Sequence, residues 1–290
     1  MPILMQTQIR VCDLERPLRL DHYLRGHFPA WGRQAVRQLI SGRQVQVNGS
    51  IVWLDSWEVS NGDMVALASV PAEKPAPHEV FDDRWLIAEA DQLVVVDKPE
   101  GLLSEAPPRR EASNLRDLAT VRFGNVTLVH RLDRDTSGVV ILARTPEASR
   151  MLTQAFQEHQ VAKEYVAIVQ SPNRLLPAGE IVARLAPDPK RTDHVCVVAK
   201  GGQRAVTRYK ITWHGRNCQQ VHLWPTTGRT HQLRVHLAYL GAAILGDRIY
   251  GDVKAAPRLM LHALSISIPA QDEFPTRTFT APLPTGFNHH

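Results

Sequence analysis

Cysteine is scarce: Cys12, Cys196 and Cys218 are the only three in 290 residues, far apart and odd in number. They offer neither a disulfide framework nor a Cys-x-x-Cys metal pair, which suits a reducing cytoplasm. No apolar run approaches the roughly 18 residues of a membrane-spanning helix. The N-terminal Met-Pro-Ile-Leu-Met-Gln-Thr-Gln has no charged start before an apolar core. Neither a membrane segment nor a signal peptide is therefore expected. Gly-x-x-x-x-Gly-Lys, Gly-x-Gly-x-x-Gly and Gly-x-Ser-x-Gly do not occur. Nucleotide hydrolysis, hydride transfer and serine-triad hydrolysis thus lose their usual signatures. His231 and His236 are five apart, so they do not share a helix face as an i, i+4 zinc pair would, and no metal site is expected.

Lysine is missing from residues 10–50, yet arginine is abundant there. Seven arginines (10, 16, 19, 25, 33, 37 and 43) face three acids, a net +4 out of +5 for the whole chain. Such a balance favours an anionic partner such as nucleic acid. Arg33-Gln-Ala-Val36-Arg37-Gln-Leu39-Ile40 has a helical apolar stripe at 36, 39 and 40. Arg33 and Arg37 lie four apart on another face, where like charges repel; a phosphate backbone would offset that repulsion. A solvated basic face is the plainer alternative. Ser41-Gly42 stops the helix, and Gln44–Val52 alternates around Asn48-Gly49, a strong hairpin signal. Residues 69–80 carry three prolines, a semi-rigid extended linker. The expected division is a small domain over 1–68, a linker over 69–84 and a larger domain over 85–290. A hydrophobic content of 43% provides ample core for both.

The most informative stretch runs from Val126 to Arg144. Two apolar runs, Val126–Val129 and Val139–Leu142, read as strands around a charged loop, with Ser137-Gly138 as a tight turn between them. Asp133 is placed where the strands meet, with Arg131 and Arg134 adjacent. A carboxylate beside guanidinium groups is held in its charged form, which suits a nucleophile or base and not a general acid. A loop tied by salt bridges is the bland alternative. Downstream, Thr145-Pro146-Glu147 opens a helix with a buried stripe at Ala148, Met151, Leu152, Ala155 and Phe156. Lys163–Val169 reads as a strand, and residues 181–213 as paired strands turning at Gly201-Gly202. A further helix is expected after Thr230 as cap, with a stripe at Leu233, Leu237 and Leu240 and a close at Gly241.

His130-Arg131-Leu132-Asp133 followed by Thr136-Ser137-Gly138 and an apolar strand resembles the catalytic motif of the RluA-type pseudouridine synthases. Asp97-Lys98-Pro99-Glu100-Gly101, Lys163-Glu164-Tyr165, and Pro225 through Gly241 with Ile244 through Gly251 and Leu261-His262-Ala263 are similar to further family segments. Lys98 is expected to be structural, or at most a phosphate contact. Arg19-Leu20-Asp21, Gly42, Val47-Asn48-Gly49 and Gly62-Asp63 resemble the α-L RNA-binding module of a small-subunit ribosomal protein. Gly32 stands where that module usually has a serine cap, and glycine is a weaker one. The His-Pro that many family members carry after the lysine segment is replaced by Leu103-Ser104-Glu105-Ala106-Pro107.

The resemblance implies an α+β fold: a large mixed, mainly antiparallel sheet with flanking helices and a central cleft, plus the small N-terminal domain. It implies cofactor-free isomerisation of a flipped-out uridine in RNA. Asp133 would attack the anomeric carbon or remove the neighbouring ribose proton, and the residues allow both. Arg229 would pair with Asp133. Tyr165 would pack against the flipped ring, with late proton removal as a second use. Arg131 would fill the gap that the base leaves. Arg33, Arg37 and Arg43 would contact RNA, adding affinity more than base reading. Asp135 matches no family position for the nucleophile. The expected substrate is large-subunit ribosomal RNA, with transfer RNA second, and the expected state is a cytoplasmic monomer. A binding protein without chemistry and a glycosylase releasing uracil are the rival readings.

Overall fold

The computed structural model describes residues 7–28, 31–54, 56–68, 80–106, 113–170, 175–215, 217–270 and 276–287, without the side chains of residues 33, 34 and 38. The chain divides into two compact units, Met1–Ala76 and Pro77–His290. Most of the expected linker, residues 69–79, lies outside the described residues, as do residues 107–112.

In the small unit the order is β1 (Thr7–Arg10), β2 (Leu18–Arg19), α1 (Leu20–His27), α2 (Arg33–Ser41), β3 (Val45–Val47), β4 (Ser50–Val52), β5 (Glu58–Val59) and β6 (Met64–Leu67). Val36, Leu39 and Ile40 of α2 are buried against Leu20 and Leu24 of α1 and against Val45, Val65 and Leu67 of the sheet. Each such aliphatic side chain contributes roughly 1.5–3 kcal/mol. Asn48 and Gly49 both have positive φ, 51° and 79°, and pair Val47 with Ser50. This is the two-residue hairpin that Asn-Gly favours.

The large unit carries β7 (Leu86–Glu89), β8 (Leu93–Lys98), α3 (Leu115–Phe123), β9 (Thr127–Leu128), β10 (Ser137–Ala143), α4 (Pro146–Gln157), β11 (Ala162–Gln170), β12 (Ala178–Pro187), β13 (Val195–Val197), β14 (Gln203–His214), β15 (Cys218–Pro225), α5 (Gln232–Tyr239), β16 (Leu261–Ile268) and β17 (Arg277–Thr280). They form an eleven-stranded sheet in the order β13-β12-β14-β15-β11-β16-β10-β8-β7, with β17 added on β16 and β9 on β10. Among the described strands β10 and β16 make the parallel pair and the other pairs are antiparallel. This is the mixed, mainly antiparallel α+β sheet that the sequence implied.

All seven residues of β10 are buried. Val140 and Leu142 pack with Leu115, Leu118 and Ala119 of α3, while Val139 and Ile141 pack with Ala148, Leu152 and Ala155 of α4. A strand covered on both faces reads as a continuous apolar run instead of an alternating one. The Thr145 side chain caps α4 by accepting from the Ala148 N–H at 3.1 Å.

Two local expectations are corrected. The turn before β10 is made by Arg134-Asp135, closed by Thr136 N–H donating to the Asp133 carbonyl at 3.1 Å. Ser137-Gly138 instead begins the strand, pairing in parallel with His262 and Ala263. Gly138 has φ 118°, and a Cβ there would collide with the Ala263 backbone, so the glycine serves close approach of two strands. Likewise α5 is not capped by Thr230. His231 precedes it in the left-handed region (φ 54°, ψ 18°) without a capping hydrogen bond.

Candidate active site

Asp133 is positioned by a loop held from three sides. Lys98 is fully buried, and its ammonium donates to the carbonyls of Pro99 (2.9 Å), Leu102 (2.7 Å) and Arg134 (3.0 Å). The Gly101 N–H also donates to the Arg134 carbonyl, at 2.9 Å. Lys98 is therefore structural, with no proton left for a phosphate. Burial pushes its pKa down to about 7. Ser104 Oγ accepts from the Leu132 N–H (3.1 Å) and donates to the Leu132 carbonyl (2.8 Å). His130 Nε2 accepts from the Ile141 N–H at 3.0 Å, tying the start of the loop to β10.

The guanidinium beside Asp133 comes from α5. Arg234 Nη1 donates to Asp133 Oδ2 at 3.2 Å. Its Nε and Nη2 grip the two oxygens of Asp247 at 2.8 and 2.7 Å. Asp247, with no exposed surface, also accepts from the Ile249 and Tyr250 N–H groups at 2.9 and 3.1 Å. Those donors and the guanidinium overcome the burial penalty and hold its carboxyl below the usual range. The fork of Arg234 is thus fixed by Asp247 and presents its remaining edge to Asp133.

Arg229 does not make the pairing expected of it. Its Nε donates to the Arg204 carbonyl at 3.3 Å, along β14. Arg229 sits in the loop before α5, where Gln232 Oε1 accepts its backbone N–H at 3.0 Å, and it lines the same cavity as Asp133 without bonding it. Arg234 projects from the helix into the cleft. Arg134 is also diverted, bonding Asp135 at 3.1 Å.

His231 is a member that sequence reasoning missed. Its Nε2 lies 3.8 Å from Asp133 Oδ2, and its Nδ1 is 2.9 Å from the Tyr250 hydroxyl. The Val195 N–H donates to the same hydroxyl at 2.9 Å. Burial pulls the His231 pKa down against the opposing pull of Asp133. His236 turns elsewhere, with Nδ1 at 3.0 Å from Thr207 Oγ1. The left-handed backbone at His231, in a histidine already set aside as a metal ligand, carries no sequence signature.

These groups open onto a cavity of about 630 Å³ whose walls include Arg131, Asp133, Phe156, Lys163, Tyr165 and Arg234. That volume is within the range of pockets that enclose a small ligand. Burial and the nearby Asp133 charge drive the Tyr165 pKa upward, keeping the phenol protonated. This favours ring packing over proton removal for Tyr165. Arg131 is exposed at the cavity wall. In the small unit Arg37 and Arg43 are exposed, with the Arg43 guanidinium 6.0 Å from the Trp53 ring centroid. The Arg33 side chain lies outside the described residues.

A carboxylate in a cleft, ion-paired to a clamped arginine and sharing the cavity with a half-buried tyrosine, has the make-up of an enzyme site. The comparisons with known proteins narrow that class. The family model described as RNA pseudouridylate synthase matches residues 92–239, and the model described as S4 domain matches residues 18–65. "Ribosomal large subunit pseudouridine synthase D" of Zymomonas mobilis is 30% identical over 260 residues, spanning 85% of this chain and 81% of that protein. The protein of the same name from Yersinia pestis is 27% identical over 262 residues, spanning 88% and 79%. Among solved structures, human RNA Pseudouridylate Synthase Domain Containing 1 aligns with TM-score 0.59 at 26% identity, over 68% of this chain and 82% of that one. Human RNA Pseudouridylate Synthase Domain Containing 4 aligns with TM-score 0.57 at 26% identity, over 70% and 90%. The chain belongs to the RNA pseudouridylate synthase family, of the RluA type, and carries an S4 domain. It is an isomerase of uridine in RNA.

Proposed function

We propose that this chain converts uridines of large-subunit ribosomal RNA to pseudouridine, with Asp133 as the acting carboxylate. The observation that carries the chemistry is the Asp133–Arg234–Asp247 array on a cavity that also exposes Tyr165. The names of its relatives support the choice of RNA. A duplex does not admit the reaction, because the base must detach, rotate and rejoin through carbon, so the target nucleotide is flipped out at a cost of a few kcal/mol. Asp133 acts at the sugar, Tyr165 packs on the uracil ring, and Arg131 fills the vacated stack. Arg234 takes the pairing role first expected of Arg229. Uracil leaves as a delocalised anion and stays bound, so the paired acid of a glycosidase is dispensable.

Arg33, Arg37 and Arg43 supply phosphate contacts that position the RNA. We infer that the protein works as a monomer in the cytoplasm, where its three unpaired cysteines remain reduced. Pseudouridine maps of RNA from cells with and without this protein test the substrate. Loss of sites in large-subunit ribosomal RNA is expected; loss confined to transfer RNA would overturn that choice. Free uracil among the products would mark a glycosylase instead.

A further inference from the structure

Lys163 is a cation of the cavity that takes no part in the Asp133 array. Lys163 lies near the start of β11, two residues before Tyr165 and on the same face of the strand, and both line the cavity. Its Nζ sits beside Gly228, 3.7 Å from where a side chain on that glycine would begin. Among the described residues no carboxylate or carbonyl accepts a hydrogen bond from it. Neighbouring His130 offers none, because its Nε2 is occupied by the Ile141 N–H and its ring stacks on Phe156 at 4.6 Å.

Asp133 acts electrostatically on Tyr165, His231 and Arg234. Lys163 is shifted downward by burial alone, and its own charge acts on His130. Tyr165 lines the same cavity, two residues or about 6.8 Å of backbone along the strand from Lys163.

We propose that the Lys163 ammonium binds the carbonyl edge of the flipped uracil and stabilises the charge which that edge acquires on detachment. The inference rests on the reading of Asp133 given above. When the bond from N1 to the anomeric carbon breaks, its electron pair leaves on the base and spreads to O2 and O4. The lysine neither gives nor takes a proton. The charge is discharged when C5 forms the new bond to the sugar; C5 then loses a proton and N1 gains one, so the RNA keeps its mass. A partly dehydrated, unpaired cation serves such a developing charge far better than one in water.

The test uses the full chain, with Lys163→Met and Lys163→Arg, on one RNA carrying uridine or 5-fluorouridine at the target position. Fluorine stabilises the detached base anion, so the substituted base needs less help from the enzyme. Lys163→Met is expected to slow single-turnover loss of uridine about 100-fold and loss of 5-fluorouridine less than about tenfold. RNA affinity should stay within about threefold, and Lys163→Arg should recover most of the rate. Equal losses on both substrates would overturn the proposal. So would weakened binding with unchanged turnover, the mark of a phosphate contact. Asp133→Asn separates the two claims. If it still converts uridine, the Asp133 reading fails; if it is inactive beside a fully active Lys163→Met, only the lysine proposal fails.

Discussion

At the scale of single residues, one guanidinium does two jobs. Arg234 satisfies the buried Asp247 with two of its nitrogens and orients a third toward Asp133. Lysine keeps the charge but not the planar fork. Arg234→Lys should therefore lower kcat/KM at least about 100-fold. Arg229→Ala should cost less than about tenfold, because its side chain bonds the Arg204 carbonyl instead. Steady-state kinetics on one RNA checks both, and a reversed order would restore Arg229 as the partner. Asp133 was legible because its neighbours in sequence form a long, ordered motif. Its partner was not, since Arg229 and Arg234 belong to one segment and only the helix direction separates them. A clue was present: residues 232–237 of α5 are all buried, and an arginine in a helix without a polar face requires an acid nearby. Asp247 is that acid.

At the scale of elements, strands and helices with local signals were readable from the chain. The Asn48-Gly49 hairpin, the Thr145 cap and the apolar run of β10 each follow from residues within a few positions. Features that depend on distant partners were not. Gly138 looked like a turn residue, yet its constraint comes from Ala263 on the parallel neighbour β16. Gly138→Ala combines a forbidden φ with a backbone collision, and should destabilise the fold by roughly 2–4 kcal/mol. A urea midpoint unchanged by that substitution would contradict the strand assignment. His231 is similar: its left-handed backbone is set by the junction of the Gly228–Thr230 loop with α5, not by its own propensity.

At the scale of the whole molecule, the arginine excess is confined to residues 10–50 and falls to +1 over residues 1–68, because Asp55, Glu58 and Asp63 follow. The large unit also sets a pH limit. Burial lowers the pKa of His130 to about 3 and of His236 and His262 to about 4. The unfolded chain protonates these histidines near pH 6.5, so it binds more protons than the folded one below that value, and stability falls as pH falls. Asp97, raised by burial to about 6, opposes this by holding a proton that the unfolded chain releases. Three histidines against one aspartate leave a net loss on the order of 2–3 kcal/mol per pH unit between about pH 6 and 4. Urea denaturation across that range should show it, and a flat profile would contradict the burial of these rings.

One carboxylate, aimed by Arg234, is expected to perform the isomerisation. RNA labelled with tritium at uridine C5 releases that tritium when the base rejoins through carbon. Measured beside the unaltered chain, Asp133→Asn should release none while binding the RNA within about threefold of normal. Tritium release at the unaltered rate would contradict the account.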